Sequence, residues 1–444
     1  MKQLMIALML CVGLTTHAQW YTGMSQQTGL ALCIHLTDNA AELYSPMQTT
    51  DPIPVSSWSL EGNQLNIECK GIGLKMKLSR RDSTFSGYWK QGFLKEDITF
   101  YPTDTLFTLR RPQTPQPPYR FDEEIIVTDY TDSQGNAIHL EGTLTYPKGG
   151  GRYPCLVLVS GSGQQNRDEE IFQHKPFLVL ADYLASRGIA VLRYDDRGMG
   201  ASTGSLDNAD TRLFAEDAEA MLFAVKRSEH VDAKRLGIGG HSEGGAIAPM
   251  VAARDKEVKF VVMLAGQGCT GLDVMLQQNE AIFRANGISE QLVAVRMACM
   301  RELFALPADS KVKDYQSIIL RHIEGLSKEQ QDSIALKKSL APTLKQQLDS
   351  RWMQTFLSLD PQEYLPKVKC PVLALNGSTD RQVIAGPNQQ RIKQLCPQAD
   401  CRTLPGLNHL FQHSKKGSPD EYILIEETFA PEALQIIGDW ILLR

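Results

Sequence analysis

Beyond residue 14 this sequence has no uninterrupted apolar run long enough to cross a bilayer, so no stable membrane insertion is expected. Charge of one sign is also lacking. Lys and Arg number 46 against 51 Asp and Glu, a net charge of -5. No basic stripe is present, and nucleic acid is excluded as a partner on that ground. No Cys-x-x-Cys occurs, and no His-x-x-x-His has further ligands nearby, so no metal centre is expected. No segment recurs at a fixed period, which argues against a solenoid or propeller. What is there is an ordinary globular balance, 42% hydrophobic and 22% charged over 444 residues. That length predicts more than one domain.

The N-terminus has its own pattern. Lys2 is followed by an apolar run from Leu4 to Leu14, then by Thr16-His17-Ala18. A positive start, a short apolar stretch and a small-x-small site make the layout of a secretory signal peptide over residues 1–18. Cleavage after Ala18 leaves Gln19 as the first mature residue, and the expected destination is periplasmic or extracellular. Cys11 is not in a Leu-x-Gly-Cys context, so no lipid anchor is expected there. Of nine cysteines, eight lie beyond the signal. Export permits disulfides. Cys33 with Cys69, and Cys396 with Cys401, are the pairs to test first, while Cys155 and Cys370 begin apolar runs where cysteine acts as a small hydrophobe.

Residues 19–110 alternate in short runs separated by turn residues, as at Leu30–Leu36, Gln64–Glu68, Leu74–Ser79 and Thr105–Arg110. The period of two predicts a small all-β domain. Its stretch from Phe85 to Gly92 contains Gly87-Tyr88-Trp89-Lys90-Gln91-Gly92, which resembles the Gly-x-Trp-x-Gln-Gly signature of small lipocalin-like β-domains. Four prolines between Arg111 and Pro118 predict a stiff linker over 111–120. From 121 to 444 apolar strands alternate with helical stretches at Lys175–Arg187, Ala209–Ser228, Gly244–Arg254 and Gly386–Leu395. Near-continuous apolar strands, such as Cys155–Val159 and Ile189–Leu192, fit a mostly parallel sheet covered on both faces. The interval 269–366 breaks this rhythm. Apolar residues at Ile288, Leu292, Val295, Cys299 and Leu303 have helical spacing. A helical cap over the carboxyl edge of the sheet is predicted, since ligands bind at that edge.

Gly240-His241-Ser242-Glu243-Gly244 follows the strand Arg235–Gly239 and precedes a helix. A Gly-x-Ser-x-Gly in that context raises the serine on a sharp turn. Ser242 is the candidate nucleophile. A serine hydroxyl needs a base, and the base needs an orienting carboxylate. In chain order Asp380, in the turn after Pro371–Leu375, fits the acid, and His409, in the loop after Cys401–Leu404, fits the base. His413 is the competing base. His241 is expected to point away from the nucleophile, His322 lies in the helical insertion, and Asp360 reads as a turn residue. The oxyanion needs fixed donors. The backbone N–H of Glu243 is one. The second is expected from the turn Gly161-Ser162-Gly163-Gln164-Gln165, at Ser162 or Gly163.

On these motifs residues 121–444 resemble the α/β-hydrolase superfamily. They are most similar to bacterial secreted esterases whose Ser-Gly-Ser-Gly turn is followed by Arg-Asp, here Ser160–Gly163 and Arg167-Asp168. Tyr194–Ser202 is similar to the family's Asp-x-Arg-Gly-x-Gly-x-Ser turn, which the resemblance makes a structural and pocket loop. The turn departs from many relatives in having Ser160-Gly161 where they have His-Gly. The resemblance implies hydrolysis of small-molecule carboxylic esters of short to medium acyl chains through an acyl-enzyme, with no cofactor. A serine peptidase or thioesterase uses the same triad, and a binding protein on an inactive scaffold is the alternative from another class.

Overall fold

The computed structural model describes residues 19–25, 30–48, 51–92, 94–307 and 309–444. Residues 1–18, where a signal peptide is expected, lie outside them. The chain divides into two compact units, one ending at Arg110 and one spanning Arg111–Arg444.

The first unit is all antiparallel β. Its strands are β1 (Gln19–Met24), β2 (Ala31–Leu36), β3 (Ala41–Tyr44), β4 (Ser57–Glu61), β5 (Gln64–Cys69), β6 (Leu74–Arg81), β7 (Thr84–Gln91) and β8 (Leu94–Thr103). They form one sheet in the order β3-β2-β1-β8-β7-β6-β5-β4. Alternate residues of β5 and β6 are buried, as a one-sided sheet requires. Leu65, Ile67, Met76, Leu78, Phe85, Trp89 and Phe100 share its core, so Trp89 of the signature stretch packs inside. Thr105–Arg110 forms no strand. β8 already has β7 and β1 as neighbours, which leaves that segment no adjacent edge to join.

In the second unit the strands are β9 (Phe121–Thr131), β10 (Ala137–Pro147), β11 (Tyr153–Val159), β12 (Ala190–Tyr194), β13 (Val231–His241), β14 (Val261–Leu264), β15 (Val372–Gly377) and β16 (Asp400–Leu404). Their order is β16-β15-β14-β13-β11-β12-β10-β9. The strands from β11 to β16 are parallel, and β9 and β10 are antiparallel additions. Helices α1 (Pro176–Ala185), α2 (Thr211–Val225) and α3 (Glu243–Arg254) connect the first parallel strands. The cap then supplies α4 (Gly271–Ala285), α5 (Glu290–Phe304), α6 (Val312–Ile323), α7 (Lys328–Ser333), α8 (Ala341–Asp349) and α9 (Arg351–Ser358), before α10 (Ala385–Leu395) and α11 (Pro431–Leu442).

Both faces of the sheet are buried, which explains the apolar runs. Cys155, Val157 and Val159 of β11 pack into a core shared with α2, α3 and α10. Leu156 and Leu158 face the other core, shared with α1 and α11. The cap has a core of its own, containing Cys299, Leu303, Tyr315 and Ile319, against which Ile288, Leu292 and Val295 pack. The helical spacing read in that interval is this core's lining. After β12 the chain crosses β11 to lay down β13. The crevice beyond the carboxyl ends of β11 and β13 is therefore a topological switch point, where open α/β sheets bind ligands.

Side chains of the Pro-rich stretch 111–120 are tied to the second unit. Arg111 donates to the carbonyls of Phe172, Ile423 and Ile425. Gln113 bonds the backbone of Thr428 and Phe429 in both directions. The eight cysteines from Cys33 to Cys401 are free thiols. Cys33 pairs in register with Tyr44, and Cys69 with Leu74, on separate parts of the sheet. Cys396 is buried beside Cys401 as a packing residue of the main core, as are Cys155 and Cys370.

Candidate active site

Ser242 stands between β13 and α3 with φ 55° and ψ -115°. A non-glycine residue rarely holds a positive φ, and such strain persists only where neighbours enforce it. Two neighbours do so here. A Cβ on Gly240 would lie 2.4 Å from the Gly244 backbone, and a Cβ on Gly244 would lie 2.1 Å from the Val159 carbonyl oxygen. Only glycine at both positions lets β13, α3 and the end of β11 approach this closely. The Ser242 N–H donates to the Leu264 carbonyl at 2.8 Å, tying the turn to β14.

Asp380 and His409 sit in the loops after β15 and β16. His409 Nδ1 lies 2.8 Å from Asp380 Oδ2, and both side chains are buried. The other carboxylate oxygen accepts the N–H groups of Gln382 and Val383 at 2.7 and 2.9 Å. Asp380 is thus held by its own turn, leaving Oδ2 for the imidazole. His409 and Ser242 line the same cavity. The competing residues are engaged elsewhere. His413 lies between Glu427 and Glu432 and is more than half exposed. His322 pairs with Glu302 in the cap. Asp360 accepts the Gln362 N–H in a turn, as expected.

The turn after β11 narrows the oxyanion assignment. Gly161 and Ser162 line the cavity, and Gly163 does not. The Gly161 N–H is already donated to Glu169 Oε1 at 2.6 Å. Of the two candidate donors in the turn, Ser162 is the one beside the cavity. Glu243 opens α3, where the early N–H groups have no partner within the helix. Its carboxylate is buried and fully used. Oε1 accepts from the Thr211 hydroxyl at 2.5 Å, and both oxygens lie 3.0 Å from the Trp352 indole nitrogen. Burial holds its pKa above the ordinary value, against the pull of the Thr211, Ser162 and Trp352 hydrogen bonds.

No residue of Tyr194–Ser202 lines the cavity, so this loop supports the site without forming its wall. Asp196 accepts the Ser160 hydroxyl at 2.6 Å and the Gln165 N–H at 2.9 Å, bracketing the oxyanion turn. Burial pushes its carboxyl up to about 7. Arg167 donates to Asp195, Glu141 and Thr143, fixing the far end of the same turn. Arg197 is buried against Asp217 and Asp132. An unpaired charge buried here would be costly, and the two carboxylates compensate the guanidinium.

The cavity holds about 260 Å³. The cap builds much of its apolar wall, with Val274 and Met275 from α4 and Trp352 and Phe356 from α9. Beside its Trp352 bond to Glu243, α9 is tied down by Arg351, which donates to Asp210 at 2.7 Å, the residue that caps α2. Sequence reasoning missed Trp352, Glu169 and the position of His241. A lone tryptophan or glutamate carries no spacing signal. His241 does not point away from the site: it lines the cavity, its ring centroid 4.7 Å from that of His409.

A family model described as Serine aminopeptidase, S33 matches residues 175–415. An esterase, EstD, of Thermotoga maritima is 28% identical over 291 residues, 64% of this chain and 61% of the relative. The chain thus spans less than two thirds of that relative's length. Among solved structures, the ferulic acid complex of Est1E from Butyrivibrio proteoclasticus is 17% identical, covering 71% of this chain and 98% of that one, with a TM-score of 0.41. A proline iminopeptidase of Mycobacterium smegmatis, also 17% identical, covers 71% and 98% with a TM-score of 0.42. The family match runs from α1 to the loop after β16, takes in Ser242, Asp380 and His409, and covers more than half of the chain, which therefore belongs to the serine aminopeptidase S33 family of α/β-hydrolases.

Proposed function

We propose that this protein is an exported serine hydrolase that cleaves small carboxylic esters of short to medium acyl chains. The observation that carries the reading is Ser242, held at a strained φ in one cavity with the buried His409–Asp380 pair. His409 takes the proton from Ser242 as its oxygen attacks the ester carbonyl. Asp380 keeps Nδ1 protonated, so that Nε2 is the basic nitrogen, and stabilises the imidazolium that forms. The N–H groups of Glu243 and Ser162 receive the oxyanion. The protonated His409 gives its proton to the leaving alcohol, and then activates water to release the acid.

A cavity of this size accepts a small substrate. Among the described residues no Lys or Arg lines it, which favours a neutral acyl group over an anionic one. The family's description favours a second reading, an aminopeptidase. That activity needs an acceptor for the substrate's ammonium group. Glu169 and Glu243 line the cavity, but both are committed to internal partners, so ester hydrolysis is the better fit. Export rests on the signal-like order of residues 1–18.

The test is Ser242→Ala, assayed on p-nitrophenyl acetate and butyrate beside aminoacyl amides and thioesters. Ester turnover should fall by about 1,000-fold or more, and labelling by a fluorophosphonate should vanish. Full activity in the variant refutes the nucleophile, and a preference for aminoacyl amides in the parent protein supports the peptidase instead.

A further inference from the structure

A second histidine–carboxylate pair lies beside the nucleophile, and the mechanism above leaves it unused. His241 Nδ1 is 3.0 Å from Glu169 Oε1, and His241 Nε2 is 2.9 Å from the carbonyl oxygen of His409. Glu169 and His241 are 5% and 7% exposed. Both partners of this ring are acceptors. A neutral imidazole has one N–H and would set its other nitrogen's lone pair against an oxygen. Against a carboxylate at Glu169, only the imidazolium satisfies both contacts. Its charge, costly when buried alone, is matched by the Glu169 carboxylate.

The pair reaches both halves of the site. Glu169 Oε1 also accepts the Gly161 N–H, and the oxyanion turn packs so closely there that a Cβ on Gly161 would lie 3.2 Å from that of Ser242. His241 holds the loop of the base through the His409 carbonyl. Glu169 is itself kept at φ 51°, a strained backbone that its surroundings must enforce.

We propose that Glu169 and His241 form a constantly ionised pair that positions the reaction from both sides, the carboxylate fixing the oxyanion turn and the imidazolium fixing the His409 loop. They are positioning residues, acting through Gly161 and His409, and their kinetic role rests on the ester-hydrolase reading of Ser242. Small errors in such geometry are costly, because displacement of about 1 Å can lower a rate by roughly 100-fold. The titratable groups facing His241 are Glu169, the His409 ring and Asp380 beyond it, with Phe411 packed alongside. Asp196 faces Glu169 from the neighbouring loop. Burial opposes the charge on His241, and the Glu169 carboxylate and the hydrogen bonds outweigh it, so its pKa is raised.

The experiment uses the full chain labelled with 15N-histidine, with His241→Gln identifying the signal. Both ring nitrogens of His241 should still carry protons at about pH 7.5, where an ordinary imidazole has lost one. A neutral tautomer at pH 7.5 overturns the proposal whatever the activity. In parallel, Glu169→Gln should lower kcat by about 10- to 100-fold with KM little changed, slow fluorophosphonate labelling of Ser242 in step, and abolish the doubly protonated signal. Glu169→Asp should recover part of kcat. An unchanged kcat in a folded Glu169→Gln variant also overturns it. Should Ser242→Ala retain activity while the His241 signal stays doubly protonated, the enzymatic reading fails and the ion pair stands.

Discussion

Replacing Trp352 by phenylalanine removes one donor and little else. The ring keeps its place against Phe356, whose centroid is 5.3 Å away. What is lost is the indole N–H shared between both oxygens of Glu243 at 3.0 Å. A hydrogen bond to a charged group contributes about 1.5–3 kcal/mol, and one to a neutral group about 0.5–1.5 kcal/mol. Burial raises the Glu243 carboxyl above its ordinary value in the folded chain. Its contribution to stability is therefore fully present below the unfolded value and is lost as pH rises through the folded one. The Trp352 bond offsets part of that loss, and without it the folded pKa climbs further. Trp352→Phe should therefore cost more at pH 8 than at pH 5, by about 1 kcal/mol on these figures. Urea unfolding of the two proteins at both pH values measures this. Because Trp352 also lines the cavity, KM for p-nitrophenyl butyrate should rise. A variant as stable as the parent at pH 8, or one with equal loss at both pH values, refutes the assignment of this bond.

Other outcomes follow from the same geometry. Asp380→Asn keeps the shape of the turn but removes the acceptor that fixes the His409 tautomer. Its kcat should fall by about 10,000-fold, while a drop below tenfold would transfer the role to another acid. Gly244→Ala places a Cβ 2.1 Å from the Val159 carbonyl oxygen; the variant should lose about 1–3 kcal/mol and fluorophosphonate labelling, and normal labelling with normal stability would show the turn to be looser than described. Since the eight cysteines from Cys33 to Cys401 are free, a reducing agent should leave the melting temperature unchanged; a fall equivalent to about 2–4 kcal/mol would reveal a bridge.

Much of this protein was legible in order along the chain. Apolar runs such as Cys155–Val159 marked strands buried on both faces, because each residue of such a strand meets one of two cores. Gly240 and Gly244 marked the nucleophile turn because close backbone approach tolerates no other side chain. Asp380 and His409 were readable because parallel strands deliver the loops after them to the same edge. The sequence alone thus determined the alternation of elements, the helical insertion and the candidate triad. Tertiary structure alone decided three further things. It tied Pro-rich 111–120 down through Arg111 and Gln113, whose partners lie hundreds of residues away. It placed Trp352 on Glu243, a contact between residues 109 positions apart. It also turned His241 toward Glu169 and the His409 carbonyl, separated from it by 72 and 168 positions. Such contacts join side chains that no local period relates, so they arise only once the sheet has brought its carboxyl ends together.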